Sequence, residues 1–270
     1  MKTPKSRFFR AAVCTLAASL STVAQEKTAN PKNATNEPSA RTILQKYASA
    51  WRGREELPLD QQVMLVFWVR GDGGGEYHIT LTDEPAPAVA VGAPANYDLG
   101  FEMDTELLRR IDRGEMNALT AMGQSSDRDV APLVWKQSKR FTSRPGAEIL
   151  FRRLSFFFWN RDWPPTVRFG EGLTRRIHGA DAVLLLYEDR FRSAYYQLRP
   201  GMHIFPGGQK APFAILLLCT KGDAMAKFDG KERALSEGEA IFIPSGMTFE
   251  YWATPSQYAE VIWIALGDGA

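Results

Sequence analysis

The chain has 270 residues, with 33 Lys and Arg against 31 Asp and Glu, three His and two Cys. So even a balance gives no electrostatic footprint for nucleic acid, and two cysteines cannot build a disulfide scaffold. The hydrophobic share of 44% is enough for two cores of ordinary size.

The N-terminus carries Lys2, Lys5, Arg7 and Arg10 and no acid, then the apolar run AAVCTLAASLSTVA up to Thr22-Val23-Ala24. This is the layout of a secretory signal over residues 1–24, and about fourteen apolar residues are too few to span a bilayer as a helix. Cleavage near Ala24 is expected, with export to the periplasm or the medium. It removes four cations and no acid, so 33 against 31 becomes 29 against 31, and it removes Cys14, leaving Cys219 alone. The mature chain then has no transmembrane segment. Residues 25–40, QEKTANPKNATNEPSA, contain no aromatic or large aliphatic side chain and are expected to be a disordered linker.

Ile43, Leu44, Tyr47 and Trp51 recur at helical spacing, predicting an amphipathic helix. In VMLVFWVR both alternating sets are mostly apolar, which predicts a strand covered on both sides or facing a ligand. The glycines at 73–75 lie between two strands and open no helix, so they predict a hairpin turn and not a phosphate cradle. Strands are expected at 88–92 and 97–103. Asp104 then caps the helix TELLRRIDR, Gly114 stops it, and a short helix follows in NALTAMGQ. Leu107, Leu108, Ile111, Leu119 and Met122 form the apolar side of these helices.

This order, and above all DLGFEMDTELLRRIDRGEMNALTAMGQ, resembles the sterol carrier protein 2 family of lipid-binding domains over residues 41–138. The resemblance implies an α/β sandwich around an apolar cavity for a lipid, fatty acid or sterol-like molecule. Its lining would be Leu65, Phe67, Phe101, Leu107, Ile111, Leu119 and Met122.

Residues 139–180 read as an inter-domain connector. Its stretch LSFFFWNRDWPP holds five aromatics in twelve residues and must be covered, which predicts packing between two domains.

From 181 on, the runs AVLLLYE, RSAYYQLRPG, FAILLLCTKG, AMAKFDGKERALSEGE, AIFIPSG and AEVIWIALG predict short strands. Asp229-Gly230 is a hairpin turn among them. Strands without intervening helices argue for an all-β barrel or sandwich. Gly201, Lys221-Gly222, Asp229-Gly230, Gly238, Pro244 and Gly246 give residues 181–270 a resemblance to the cupins. The resemblance implies a double-stranded β-helix, or jelly-roll, and hence an α+β chain overall. It also implies metal ligands at positions that here hold Gly207, Gln209, Ala214 or Ile215, and Phe249. None of these is a donor that a transition metal requires, so no metal and no cofactor is expected. His203, Gln209, Ile215 and Phe249 are the candidate barrel pocket. His203 is the weak candidate for a catalytic base, with Glu239 or Glu250 in reach only by a shifted register. No Gly-x-Ser-x-Gly elbow is present, and Cys219 in LLLCTKG reads as a buried, inert thiol.

The leading expectation is an exported carrier of a small hydrophobic molecule with an accessory metal-free barrel. The alternatives are a cupin-type enzyme acting on a sugar or lipid-derived molecule through His203 and a carboxylate, and a module that forms homodimers through the barrel strands. Nucleic acid is not an expected partner.

Overall fold

The structure is a computed structural model that describes residues 37–52, 62–124, 130–143, 147, 157, 158, 166–255 and 257–270. The expected signal, nearly all of the linker and most of the aromatic stretch lie outside these residues. Residues 38–270 form one compact unit.

Helix α1 (Ala40–Ala50) starts at Ser39, whose hydroxyl caps it by accepting the Thr42 N–H. It buries the face that carries Ile43, Leu44 and Tyr47. Strands β1 (Val63–Arg70) and β2 (Gly75–Leu81) form the hairpin expected around the glycine run, with Val63 opposite Leu81 and Val69 opposite Gly75. Next come β3 (Ala90–Val91) and β4 (Leu99–Asp104). Helix α2 (Thr105–Arg113) follows directly, its N-cap Asp104 accepting the Leu107 N–H at 2.6 Å and Gly114 closing it in the left-handed conformation. Helix α3 (Ala118–Met122), β5 (Val134–Gln137) and α4 (Lys139–Thr142) complete the region. The sheet order is β3-β2-β1-β4-β5, with β1 and β4 parallel.

Asp98, fully buried, ties three of these strands together. Its carboxylate accepts the Met64 N–H at 2.8 Å and pairs with Arg140 at 3.2 Å, and its carbonyl accepts the Ser138 N–H. A buried carboxylate is tolerable only with such partners.

The second region is all β. It comprises β6 (Arg175–Ile177), β7 (Ala180–Glu188), β8 (Phe191–Leu198), β9 (His203–Lys210), β10 (Ala214–Phe228), β11 (Lys231–Ser236), β12 (Ala240–Ile243), β13 (Thr248–Ala253) and β14 (Ala259–Leu266). The order β6-β7-β8-β14-β10-β13-β9 runs through a curled nine-stranded sheet, in which β12 also pairs the first half of β10, opposite β14, and β11 its second half, opposite β13. The runs FAILLLCTKG and AMAKF, read as two strands, are the single 15-residue β10. It bends at a bulge between Cys219 and Lys221 and so serves both halves of the curl. Strand β6 lies in what was read as the connector, and β9 and β13 were not expected either. Of these last two, Pro206 and two glycines disguise the first, and the second follows a Pro-x-Gly turn without a clean apolar alternation.

The curl closes on itself. An added Cβ on Gly179, in the β6–β7 turn, would lie 2.6 Å from the His203 carbonyl on β9, so the two ends of the strand path meet.

The two sheets share α3. Asn117 caps that helix by accepting the Thr120 N–H and, with its amide nitrogen, donates to the Leu184 carbonyl at 2.8 Å. Thr120 Oγ1 accepts the Leu184 N–H at 2.9 Å. Strand β6 pairs only with residues 180–182 of β7. Beyond it, α3 takes both backbone groups that β7 would otherwise leave open at Leu184.

Candidate functional site

Alternation along the second sheet sorts its side chains cleanly. Tyr196, Val261 and Cys219 are cross-strand neighbours on the inner face, as are Ala194, Trp263 and Leu217. Ala226, Tyr251 and Ile204 continue that face on the other half of the curl. All nine are buried. Tyr196 on β8 meets Tyr251 on β13 edge to face across the interior, with ring centroids 6.0 Å apart. Phe249 stacks on Tyr251 at 6.4 Å, and Phe205 meets Phe249 at 5.4 Å. Burial pushes the Tyr196 phenol up and the Tyr251 phenol well above its ordinary value, so both stay neutral.

Two donors on this face lack a hydrogen-bond partner among the described residues, Tyr251 Oη and Trp263 Nε1. The Tyr251 hydroxyl faces that of Tyr196, which adds to its upward shift. Buried donors without a partner are rare in folded chains and mark sites where another molecule completes the bonding.

The outer face near β9 carries a polar cluster. His203 lies opposite Trp252, with ring centroids 4.8 Å apart, and Lys227 lies opposite Glu250. Glu250 Oε2 sits 3.2 Å from His203 Nε2, off the line of a hydrogen bond, and Oε1 sits 3.4 Å from Lys227 Nζ. The Gly207 N–H donates to Oε2 at 2.8 Å. Burial works against the charge on Glu250. The Gly207 amide, Lys227 and His203 outweigh it and hold the carboxyl below its ordinary value.

Above Glu250 the strand departs from register. Ile204 pairs with Tyr251 and Gln209 with Phe249, so residues 205–208 stand opposite Glu250 alone. Phe205, Gly207 and Gly208 all have left-handed backbones, at φ 56, 88 and 86°.

Of the expected barrel pocket, Ile215 and Phe249 lie on the inner face, His203 lies on the outer face, and Gln209 is exposed at the β9 edge. Gln209 is the cross-strand partner of Phe249, while His203 stands on the opposite face, so the four do not form one pocket. Glu250 was named only as one of two acids that a shifted register could bring to His203, and Tyr196, Tyr251 and Trp263 were not singled out. Reading TFEYWA as a strand would have placed Phe249 and Tyr251 on one face and Glu250 and Trp252 on the other.

The residues expected to line a lipid cavity, Leu65, Phe67, Phe101, Leu107, Ile111, Leu119 and Met122, all lie in the buried core of the first region. Two aromatics of the connector, Phe157 and Phe158, are seated against them, with centroids 5.7 Å from Phe67 and 5.4 Å from Phe101 respectively. The apolar surplus of β1 and β4 is thus taken up by the chain's own rings. Beside Phe158 a cavity of about 140 Å³ is lined by Ile111, Met116, Val167 and Leu173, with Arg113 and Arg168 at its walls. Drug-sized ligands occupy about 300 Å³ or more.

Cys219 is buried, its thiol donating to the Gly222 carbonyl at 3.2 Å, and burial pushes its pKa up. It is not poised as a nucleophile. Among the described residues, no three His, Cys, Asp or Glu side chains gather where a metal could be held, and no helix is long and apolar enough to cross a membrane.

Residues 191–268 match the family model of the AraC-like ligand binding domain. Among solved structures, the chain is similar to a cupin-like protein from Thermotoga maritima, at 20% identity over 32% of this chain and 68% of that one, with a TM-score of 0.31. It is also similar to a Cupin 2 conserved barrel domain protein from Salinispora arenicola, at 17% identity over 38% of this chain and 88% of that one, with a TM-score of 0.33. No curated protein matches the chain. The family match falls on the curled β-sheet, over β8 to β14.

Proposed function

We propose that the chain binds a small uncharged molecule on the inner face of the curled sheet. The observation that carries this reading is a pair of buried donors on an otherwise apolar surface, Trp263 Nε1 without a partner and Tyr251 Oη facing only Tyr196. The inner face described above carries no ionised side chain, and phenols with raised pKa values add none. A ligand suited to it has an apolar body and one or two hydrogen-bond acceptors, and a charged one would face an uncompensated desolvation cost. The match to a ligand-binding family supports small-molecule binding in this region.

The neutral fluorescent ketone 6-propionyl-2-(dimethylamino)naphthalene is a suitable probe because its carbonyl is an acceptor. Tyr251→Phe and Trp263→Phe are each expected to weaken its binding about three- to tenfold, the worth of one hydrogen bond. Wild-type affinity in both folded variants would refute the site.

A lipid-derived molecule with an acceptor group meets this description. Export is supported by the layout of residues 1–24. Self-association through the barrel is supported by the outer face, where 61% exposed Phe242 lies beside half-buried Leu216 and Ile264.

A second reading, a proton-transfer enzyme, is favoured by the contact of His203 with Glu250. The imidazole is half exposed and stands 3.2 Å from that carboxylate, close enough for a modest turn of the ring to orient it as a general base.

A further inference from the structure

We propose that the ligand enters and leaves the interior through the seam between the β6–β7 turn and β9, with residues 205–208 as the door and Glu250 as its latch; this rests on the inner-face binding reading above. Strand β9 is an edge strand, paired only with β13, and no strand pairing joins it to β6 or β7. The wall at the seam is held by packing, so it can part there without breaking a ladder of backbone hydrogen bonds.

The packing is that of a door. The Phe205 ring reaches the His178 ring across the seam at 5.8 Å and the Phe249 ring of the interior at 5.4 Å. His178 has φ 54° because it begins the two-residue β6–β7 hairpin turn, whereas Phe205 holds φ 56° in the bulge, which a bulky residue adopts only when its surroundings force it. That strain is relieved if the bulge swings out. Gly207 and Gly208 let the backbone turn freely, and Pro206 keeps the segment stiff between the hinges. The closed position is pinned from below, where Glu250 accepts the Gly207 N–H while Lys227 and His203 hold its charge in place.

The test uses the full chain and two variants. Glu250→Gln keeps the shape and removes the charge. It is expected to speed hydrogen exchange at the Gly207 and Gly208 amides about tenfold, the scale of a lost charge-assisted hydrogen bond, while β14 amides keep their wild-type protection. Stopped-flow binding of the naphthalene ketone should show association and dissociation rising together, by about tenfold, with Kd moved by less than about threefold. Phe205→Ala should speed the same two rates. Wild-type exchange at Gly207 and Gly208 in Glu250→Gln would overturn the latch. Faster exchange with unchanged binding rates in both variants would overturn the door and leave the inner-face site standing. A wild-type chain that does not bind the ketone would count against the site itself and the door with it.

Discussion

Phe158→Ala is expected to lower the free energy of unfolding by about 3–5 kcal/mol, the range for removing a large aromatic from a packed core. Phe158 is 2% exposed and meets four rings, those of Tyr47, Phe67, Phe101 and Phe157, at 5.4 to 6.0 Å and mostly edge to face. Each of those contacts adds to the area it buries. The neighbouring cavity of about 140 Å³ already has Phe158 as one wall, so truncation enlarges an existing void. Costs rise with the volume left unfilled. The enlarged space lies where a lipid was expected, and the variant should take up an apolar probe in the first region that the parent chain does not. Urea unfolding with and without a fatty acid reads both effects. A loss below about 1 kcal/mol would mean that the connector's rings do not seal this core.

Gly222→Ala is expected to cost about 3–5 kcal/mol, the sum of a left-handed backbone and a forced displacement. Gly222 has φ 69°, and an added Cβ would lie 2.0 Å from the Tyr258 carbonyl oxygen. That atom belongs to the backbone that leads into β14, so it cannot rotate aside as a side chain would. The Gly222 amide also donates to Glu237, and its carbonyl accepts from Cys219, so a shift disturbs the bend of β10 as well. Gly230→Ala is the control. Its φ is 84°, but nothing lies within 4 Å of an added Cβ. It should lose only about 1 kcal/mol. Equal melting temperatures for the two variants would show that the close approach at Tyr258 carries no cost.

Much of the fold is legible in local chemistry. The glycine hairpin, the Asp104 cap, the Gly114 stop and the Asp229-Gly230 turn depend on a few adjacent residues, and each is found where those residues put it. The aromatic pair 157 and 158 had to be covered, and it is, though only the register of the folded chain shows that Phe67 and Phe101 cover it. The polar cluster was legible only in part, with Glu250 as one of two acids that a shifted register could bring to His203. His203 and Glu250 are 47 positions apart in the chain, and a bulge of four residues opposite one breaks the count by which strands are aligned. Pairing them requires the register, and the register depends on Pro206 and the two glycines that made β9 unlike a strand. The unpartnered donors lie deeper still, because whether a tyrosine or tryptophan on a barrel strand finds a partner depends on the opposite half of the sheet.

The contact of α3 with Leu184 has a consequence for how the chain is made. Asn117 precedes Leu184 by 67 residues, so during synthesis the helix emerges from the ribosome before the strand it will shield. Strand β7 therefore meets a resident cover for its open edge as soon as it appears. A chain begun at the second region would lack that cover, and its bare edge would be open to pairing with another copy. The amino-terminal region thus shields an edge that the second sheet itself leaves open.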